Sequence, residues 1–284
     1  MYLMSHPHLC AGLGLLGICL LASIPAYADS WVVTQAVNVT SAVTMNQTNT
    51  TNSKQAINAV NLGNSTLYNS SQTVTARSNV TMNQTGADGS KQAMNMILST
   101  GAINNTSQTV NMGFRNLTLT QSGSNSHQAA NMIDVTTIYS GSSQIVNNLT
   151  GLTLTTSGSG NVQAVNMASA TNMGGLQQSV YRSGAATFKL ENCTGCMQAV
   201  NYINTDNVTG SMRQFFNGSG VTIANTGTNT GSVQAGNAFI KKQGGGFNGT
   251  VTQNYTATSP IYISNDNQAT TGVILAANYF ELKN

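Results

Sequence analysis

The feature that most constrains this chain is a tetrapeptide, Gln-Ala-x-Asn, that returns six times at nearly constant spacing. Its glutamines are Gln55, Gln92, Gln128, Gln163, Gln198 and Gln234, so the steps between copies are 37, 36, 35, 35 and 36 residues. A degenerate copy follows at Gln268. A fixed period of this length is typical of repeat proteins, in which each unit packs mainly on its neighbours.

A second glutamine motif lies about midway between the copies of the first. Its glutamines are Gln72, Gln108, Gln144, Gln178, Gln214 and Gln253, and Gln35 precedes the first main motif by a similar half-period. Merging the two sets gives a unit of about 18 residues, and two unlike units make a super-repeat of about 36 residues. The sequence leaves open whether one turn of the fold holds 18 or 36 residues.

The segments between the motifs alternate apolar and polar residues. In the segment 117–121, Leu-Thr-Leu-Thr-Gln, the side chains of Leu117, Leu119 and Gln121 share one face of a strand. Turn-forming Gly, Ser and Asn residues follow, as at 122–126, and no helical periodicity is present. The pattern therefore predicts an all-β solenoid built from strand-turn-strand units.

Stacked turns of a solenoid bring equivalent side chains about 4.8 Å apart, which allows an amide to donate to one neighbour and accept from the other. We therefore expect amide ladders along the axis, with the Gln and Asn of each Gln-Ala-x-Asn motif on opposite faces of their strand. The predicted ladder residues are Gln35, Gln55, Asn58, Gln72, Gln92, Asn95, Gln108, Gln128, Asn131, Gln144, Gln163, Asn166, Gln178, Gln198, Asn201, Gln214, Gln234 and Asn237.

The N-terminal segment has the pattern of a secretory signal peptide. An apolar run over 9–24 is followed by Pro25 and by Ala-Tyr-Ala at 26–28. The expected cleavage after Ala28 would make residues 1–28 a signal peptide and would place the mature chain outside the cell, in association with the cell surface. A membrane anchor is the alternative, although the run is short for a transmembrane helix.

The mature chain divides into a repeat region and two ends. Residues 51–253 carry the regular repeats, 29–50 form an N-terminal half-repeat or cap, and 254–284 form a degenerate C-terminal repeat or cap. An uncapped solenoid end presents unpaired strand edges that can pair with another copy. Trp31 and the apolar segment 272–280 are the candidate contacts; a capping role for the C-terminal segment would leave the protein monomeric.

Composition argues against several classes of function. Only 6% of the residues are charged, against about 25% in ordinary globular domains. No cluster of Lys and Arg indicates nucleic-acid binding, and the scattered carboxylates form no local pair of the kind that glycosidases use. His127 occupies a repeat position where other copies have Lys, Val or Met. We therefore expect no enzyme activity, no cofactor and no metal site.

Cys193 and Cys196 form the only Cys-x-x-Cys segment, Cys-Thr-Gly-Cys, after the predicted signal peptide. Two cysteines do not supply the four ligands of a structural zinc site. In an exported protein we expect a small disulfide that closes the turn between two strands. Free thiols or an intermolecular bridge are the alternatives.

The repeats resemble those of curli-type subunits, the curlin-repeat functional amyloids. The resemblance rests on segments such as 116–132, where Gln121, Gly123 and Asn125 lie near the family's positions, although later repeats replace the first Gln by Thr156 or Asn225. The Cys-x-x-Cys segment and the period give a looser similarity to Fap-type fibre subunits. The resemblance implies secretion through a dedicated channel, nucleated assembly and a role in the biofilm matrix.

Two functional hypotheses follow. The first is a secreted structural subunit that stacks head to tail on copies of itself, forming an extracellular fibre. The second is a monomeric solenoid adhesin that presents Thr and Asn rows to a glycan, a host surface or ice. Low charge and abundant side-chain amides favour self-association. Regularly spaced apolar residues argue against a disordered low-complexity chain.

Overall fold

The computed structural model describes residues 30–265 and 270–283. The predicted signal peptide, residues 1–28, and Gln268 lie outside the described residues. Within the described ranges the regular structure is β-strand throughout. The strands are β1 (Ser30–Trp31), β2 (Thr34–Val39), β3 (Val43–Thr48), β4 (Lys54–Leu62), β5 (Thr66–Tyr68), β6 (Ser71–Ala76), β7 (Val80–Asp88), β8 (Lys91–Asn104), β9 (Ser107–Ser124), β10 (His127–Ile138), β11 (Ser142–Ser159), β12 (Val162–Arg182), β13 (Ala186–Thr194), β14 (Met197–Gly218), β15 (Val221–Thr226), β16 (Val233–Lys241), β17 (Thr250–Ala257), β18 (Ile261–Asn265) and β19 (Ile274–Leu282).

All inter-strand pairs are parallel and join residues about one super-repeat apart. Gln128 pairs with Gln92 on one side and with Gln163 on the other, and Gln108 pairs with Gln144. The chain therefore winds into a β-solenoid of about seven turns, as the repeats predict. One turn holds about 36 residues, which resolves the question that the sequence left open.

The two half-units of a super-repeat form opposite walls of the same turn. In one turn, β10 carries the main motif, and β11 carries the half-repeat motif followed by the alternating segment. The side chain of Asn131 on β10 reaches the carbonyl oxygen of Ile145 on β11, so the two strands face each other across the interior. Asn residues with positive φ make the corners, as at Asn105 (47°) and Asn125 (50°).

The core is divided along each turn into two buried apolar clusters. The first includes Leu117 and Leu119, which point inward with Gln121 as their alternation predicts. The second includes Ile97 and Ile103 near the opposite corner. Each fully buried aliphatic side chain of this kind stabilises the fold by about 1.5–3 kcal/mol. A third buried cluster, including Ala93 and Met96, lies on the other face of the main-motif strands.

Close stacking at one corner requires glycine. A Cβ atom placed on Gly210 would lie 1.6 Å from the carbonyl oxygen of Gly174 in the turn below. A backbone atom cannot be displaced as easily as the end of a side chain, so the corner excludes any side chain at Gly210. The glycine thus keeps successive turns at strand spacing around the corner.

Candidate functional site

The most extensive chemical feature of the solenoid is a set of buried amide columns parallel to its axis. Column 1 comes from the half-repeat motifs. In it each Gln Nε2 donates to the Gln Oε1 of the turn nearer the N-terminus, at 2.7–2.9 Å. Its members are Gln35, Gln72, Gln108, Gln144, Gln178, Gln214 and Gln253.

Column 2 is formed by the glutamines of the main motif. Its donors also point toward the N-terminal end, with Nε2–Oε1 distances of 2.6–3.0 Å. A second N–H of Gln128 is directed at the opposite wall, where the carbonyl oxygen of Thr120 lies at 3.1 Å and that of Met82 at 3.0 Å. The members of column 2 are Gln55, Gln92, Gln128, Gln163, Gln198 and Gln234.

The asparagines of the main motif form an Asn column with the opposite direction. Each Nδ2 donates to the Oδ1 of the turn nearer the C-terminus, at 2.8–2.9 Å. The members are Asn58, Asn95, Asn131, Asn166, Asn201, Asn237 and Asn278. The solenoid therefore contains Gln columns that run one way and an Asn column that runs the other.

Cross-core hydrogen bonds fix these directions. Gln108 donates its second N–H to the carbonyl oxygen of Met132 at 3.0 Å, while Asn131 donates to that of Ile145 at 3.1 Å. Rotating either amide by 180° would place its oxygen against a carbonyl oxygen and would leave two buried acceptors without a donor. The backbone thus determines which end of each amide points up the axis.

The expectation that the Gln and Asn of one motif lie on opposite faces of the strand is wrong. Both point inward: Gln92 reaches the carbonyl oxygen of Asn83 and Asn95 that of Thr109, and both side chains are fully buried. The parallel pairing of this strand omits Met94, which also packs in the first core cluster. Consecutive inward residues at this point interrupt the alternation that a regular strand would impose.

The inward asparagine separates the two core clusters. On β8, Met94 belongs to the first cluster and Ile97 to the second, with Asn95 between them. On the facing wall, Leu176 belongs to the second cluster and Val180 to the first, with Gln178 between them. The hydrogen bonds that Asn and Gln side chains make to the opposite strand thus form a polar layer between the two apolar clusters.

A third Gln column was not predicted. Gln84 donates to Gln47 at 2.7 Å and Gln121 donates to Gln84 at 2.9 Å. The signal was present, because these residues follow one another at steps of 37. The column ends where Thr156 pairs with Gln121, and Thr156 Oγ1 instead donates to Gln163 Oε1 at 2.9 Å.

Column 2 ends before the last turn. Leu275 pairs with Gln234, so Leu275 occupies the next position in the column. Gln234 Oε1 is consequently buried without a hydrogen-bond partner in the described structure. In the same last turn the Asn column does continue, because Asn278 pairs with Asn237 and accepts a hydrogen bond from it.

Cys193 and Cys196 are buried free thiols that pack with Leu190. The Cys193 thiol donates to the carbonyl oxygen of Thr156 at 3.4 Å. Interaction with Cys193 lowers the pKa of Cys196, and the same interaction together with burial raises the pKa of Cys193. Cys196 takes the place that Ser126 and Asn161 occupy in the preceding turns. The two thiols lie next to each other, and the predicted disulfide stays a prediction.

The charged groups of the repeat region form isolated contacts. Lys91, the register partner of His127 in the adjacent turn, forms an ion pair with Asp134 on the strand that carries His127. Burial, with a further contribution from Lys91, lowers the pKa of His127 to about 4, against a smaller opposite effect of Asp134. Among residues 30–265 and 270–283, no group of three or more His, Cys, Asp or Glu side chains is placed to hold a metal ion.

Arg182 is a buried cation that contacts an aromatic ring and backbone carbonyl oxygens. Its guanidinium carbon lies 5.0 Å from the centre of the Phe216 ring, and Nη2 donates to the carbonyl oxygen of Gly220 at 3.0 Å. Backbone carbonyls and an aromatic face compensate for the lost hydration. Burial lowers the pKa of Arg182, and contact with Tyr255 opposes that effect.

The C-terminal turn exposes apolar side chains that equivalent turns bury. Phe280 is 46% exposed, whereas Phe239, its stacked neighbour one turn below at 5.3 Å, is fully buried. Ile263 on β18 is also exposed, while Ile223 of the previous turn is buried. The exposure results from the absence of a further turn in the described structure above β17, β18 and β19.

Comparisons with known proteins yield no relative. No protein-family model, no curated protein and no solved structure matches the chain. In the described part of the chain, no helix has the length and hydropathy needed to span a membrane. The amide columns and the open terminal turns are therefore the observations from which a function must be inferred.

Proposed function

We propose that this chain is a secreted structural subunit that self-assembles, through stacked Gln and Asn ladders, into an extracellular amyloid-like fibre of the biofilm matrix. The observation that carries the proposal is the pair of open terminal turns. Strands β2, β3 and β4 at one end, and β17, β18 and β19 at the other, each have a parallel neighbour on one side only among the described residues.

Several features support assembly over a solitary solenoid. Parallel strand edges pair with further strands, and nothing charged interrupts the exposed residues of β18, Ile-Tyr-Ile-Ser-Asn. Stacked amides stabilise cross-β fibres by the same hydrogen bonds that link successive turns here. The resemblance to curli-type subunits agrees with this proposal, and the proposed role is structural and not enzymatic.

The test is assembly of the purified chain lacking residues 1–28. We expect incubation to give fibres by negative-stain electron microscopy, and aligned fibres to diffract at the inter-strand spacing of about 4.8 Å along the fibre axis. A protein that remains monomeric for days at high concentration, with unchanged circular dichroism, contradicts the proposal. Mass spectrometry of the exported protein tests the expected start at Asp29.

A second candidate function, surface adhesion by the monomer, is favoured by one groove. A shallow groove of about 520 Å³ is lined mainly by glycine and serine residues, together with Leu176, Gln177 and Arg213. The lining includes Ser140, Gly141, Gly174, Gly175, Ser211 and Arg213. Exposed backbone, hydroxyl and guanidinium groups are suited to the hydroxyls of a glycan. Retention on a glycan array that is lost in Arg213→Ala would support this function.

A further inference from the structure

The two ends of the solenoid present opposite amide groups. At the N-terminal end, the Gln donors point away from the molecule: Gln35 uses one N–H for the carbonyl oxygen of Ala59 and has no ladder acceptor below it in the described structure. Asn58 donates upward to Asn95, so its Oδ1 is the ladder atom on the lower side. This end offers Gln N–H donors and an Asn acceptor.

The C-terminal end offers the complementary set. Gln253 donates downward to Gln214, which leaves its Oε1 as the ladder atom on the upper side. Asn278 accepts from Asn237 through Oδ1, so its Nδ2 is the ladder group that faces the next turn. This end therefore offers a Gln acceptor and an Asn donor.

We infer that copies join head to tail in a single register, with Gln35 of one copy donating to Gln253 of the next and Asn278 of that copy donating to Asn58. The inference rests on the proposed self-assembly and adds its partner, its polarity and its contacts. The join continues both columns in the directions that they have inside the molecule. The resulting fibre has two different ends.

The parallel register of the strands determines the remaining contacts. The pairing passes from Thr34 through every turn to Thr252, which aligns β2 with β17. The same sequence of pairs aligns β3 with β18 and β4 with β19. In this register Val60 covers Phe280.

Apolar surfaces at the two ends match in the same register. Ile263 and Phe280, both exposed at the C-terminal end, would lie under Met45 and Val60 of the next copy. Among the described residues, seven of the eleven exposed large apolar side chains belong to the last turn: Phe247, Ile261, Tyr262, Ile263, Ile274, Phe280 and Leu282. In the head-to-tail register Val43, Met45 and Val60 of the next copy cover Ile261, Ile263 and Phe280, and Lys54 lies over Ile274.

Joins between like ends lack this complementarity. Two N-terminal ends would bring Gln N–H donors against Gln N–H donors, and two C-terminal ends would bring Gln oxygens against Gln oxygens. Each such contact leaves buried polar groups without a hydrogen-bond partner, which disfavours the join. The cross-core ties to backbone carbonyls prevent the amides from rotating to relieve the mismatch.

Cysteine cross-linking tests the polarity and the register together. Thr34 and Thr252 are exposed, face outward, and would become adjacent residues of parallel strands, about 5 Å apart, within the range of a disulfide. Within one molecule they are separated by the length of the solenoid, roughly 30 Å. The variants are Thr34→Cys and Thr252→Cys, each with the buried Cys193 and Cys196 retained, and the wild type is the control.

We expect fibres grown from a mixture of the two variants to give disulfide-linked dimers on mild oxidation, while fibres of either variant alone stay monomeric on a denaturing gel. Peptide mapping of the dimer should join residues 34 and 252. Fibres that cross-link within one variant, or that form no mixed dimer, overturn the inference and leave the proposed function standing. Absence of fibres from all three proteins refutes both.

Discussion

The side-chain nitrogen of Gln178 lies 2.8 Å from the Oε1 of Gln144 in the turn below and donates to it. The same nitrogen donates to the carbonyl oxygen of Tyr202 at 3.0 Å, and Gln178 Oε1 accepts from Gln214 at 2.9 Å. Gln178→Leu removes all three bonds and leaves buried partners unpaired. Because each unpaired buried group costs about 1–3 kcal/mol, we expect the free energy of unfolding to fall by about 3 kcal/mol in urea denaturation.

The adjacent glutamine gives a matched control. Gln177 is exposed and belongs to no column. The substitution Gln177→Leu makes the same chemical change as Gln178→Leu but breaks no ladder hydrogen bond. We expect that substitution to alter the free energy of unfolding by no more than about 0.5 kcal/mol. Equal effects of the two substitutions would show that the ladder bonds add nothing to stability.

The sequence predicts the columns themselves because their positions depend on the period alone. Gln55 and Gln92, or Gln72 and Gln108, stack wherever one super-repeat equals one turn. The alternation of Leu117, Leu119 and Gln121 likewise gives the inward face of a regular strand correctly, because a strand places every second side chain on one side.

The inward position of the asparagines was not predictable from spacing. A residue three positions after Gln92 belongs to the opposite face of a regular strand, and only the local break at Met94 turns Asn95 inward. The directions of the columns are equally hidden, since they depend on which carbonyl of the facing wall each amide reaches. Such contacts join residues of different half-units across the core. The spacing of the repeats does not show which residues of the two half-units face each other.

Substitution of Gly210, which lies at a tightly stacked corner of the solenoid, provides a second stability test. In Gly210→Ala the added methyl group meets the carbonyl oxygen of Gly174, so the turns must separate locally. We expect a loss of at least about 2 kcal/mol in the free energy of unfolding, measured in urea. Gly246→Ala is the control, since the nearest atom to its added Cβ is Asn207 Oδ1 at 3.9 Å. Similar losses in both variants would contradict the close stacking.

His127 makes stability depend on pH in a defined window. Its pKa is lowered from 6.5 to about 4, mainly by burial, so the unfolded chain binds more protons between these values. Stability is therefore unaffected above pH 6.5 and falls as the pH drops toward 4, by at most about 3 kcal/mol. Urea midpoints measured across this range should show the loss in the wild type.

The repeat supplies the control for this pH effect. Val162 occupies the same position one turn above His127, so His127→Val introduces a residue that the column already accepts. We expect the difference in unfolding free energy between wild type and variant to vary with pH only below about 6.5. A difference that is constant from pH 7 to 4 would exclude His127 as the titrating group.

The two thiols should differ in reactivity. The neighbouring Cys193 thiol lowers the pKa of Cys196, and thiolate is the reactive form. After reduction of the purified protein, we expect iodoacetamide to modify Cys196 before Cys193 under native conditions, as peptide mapping by mass spectrometry would show. Modification of Cys193 first would reverse the assignment. Before reduction, the intact mass should be lower by two hydrogens if the predicted disulfide forms on export.

Leu275 is the position where the proposed join would interrupt column 2. It lies above Gln234, whose Oε1 has no partner, and in a head-to-tail join it would lie below Gln55 of the next copy. In Leu275→Gln the new amide can donate to Gln234 and accept from Gln55, so that column 2 runs through the junction. Since assembly then forms an additional buried hydrogen bond worth about 0.5–1.5 kcal/mol, we expect a shorter lag in fibre growth, as measured by thioflavin fluorescence.

The control is Leu275→Ala, which removes the same apolar contacts and adds no amide, and which should lengthen the lag. A lag in Leu275→Gln as long as that in Leu275→Ala would mean that column 2 does not meet its counterpart across the junction.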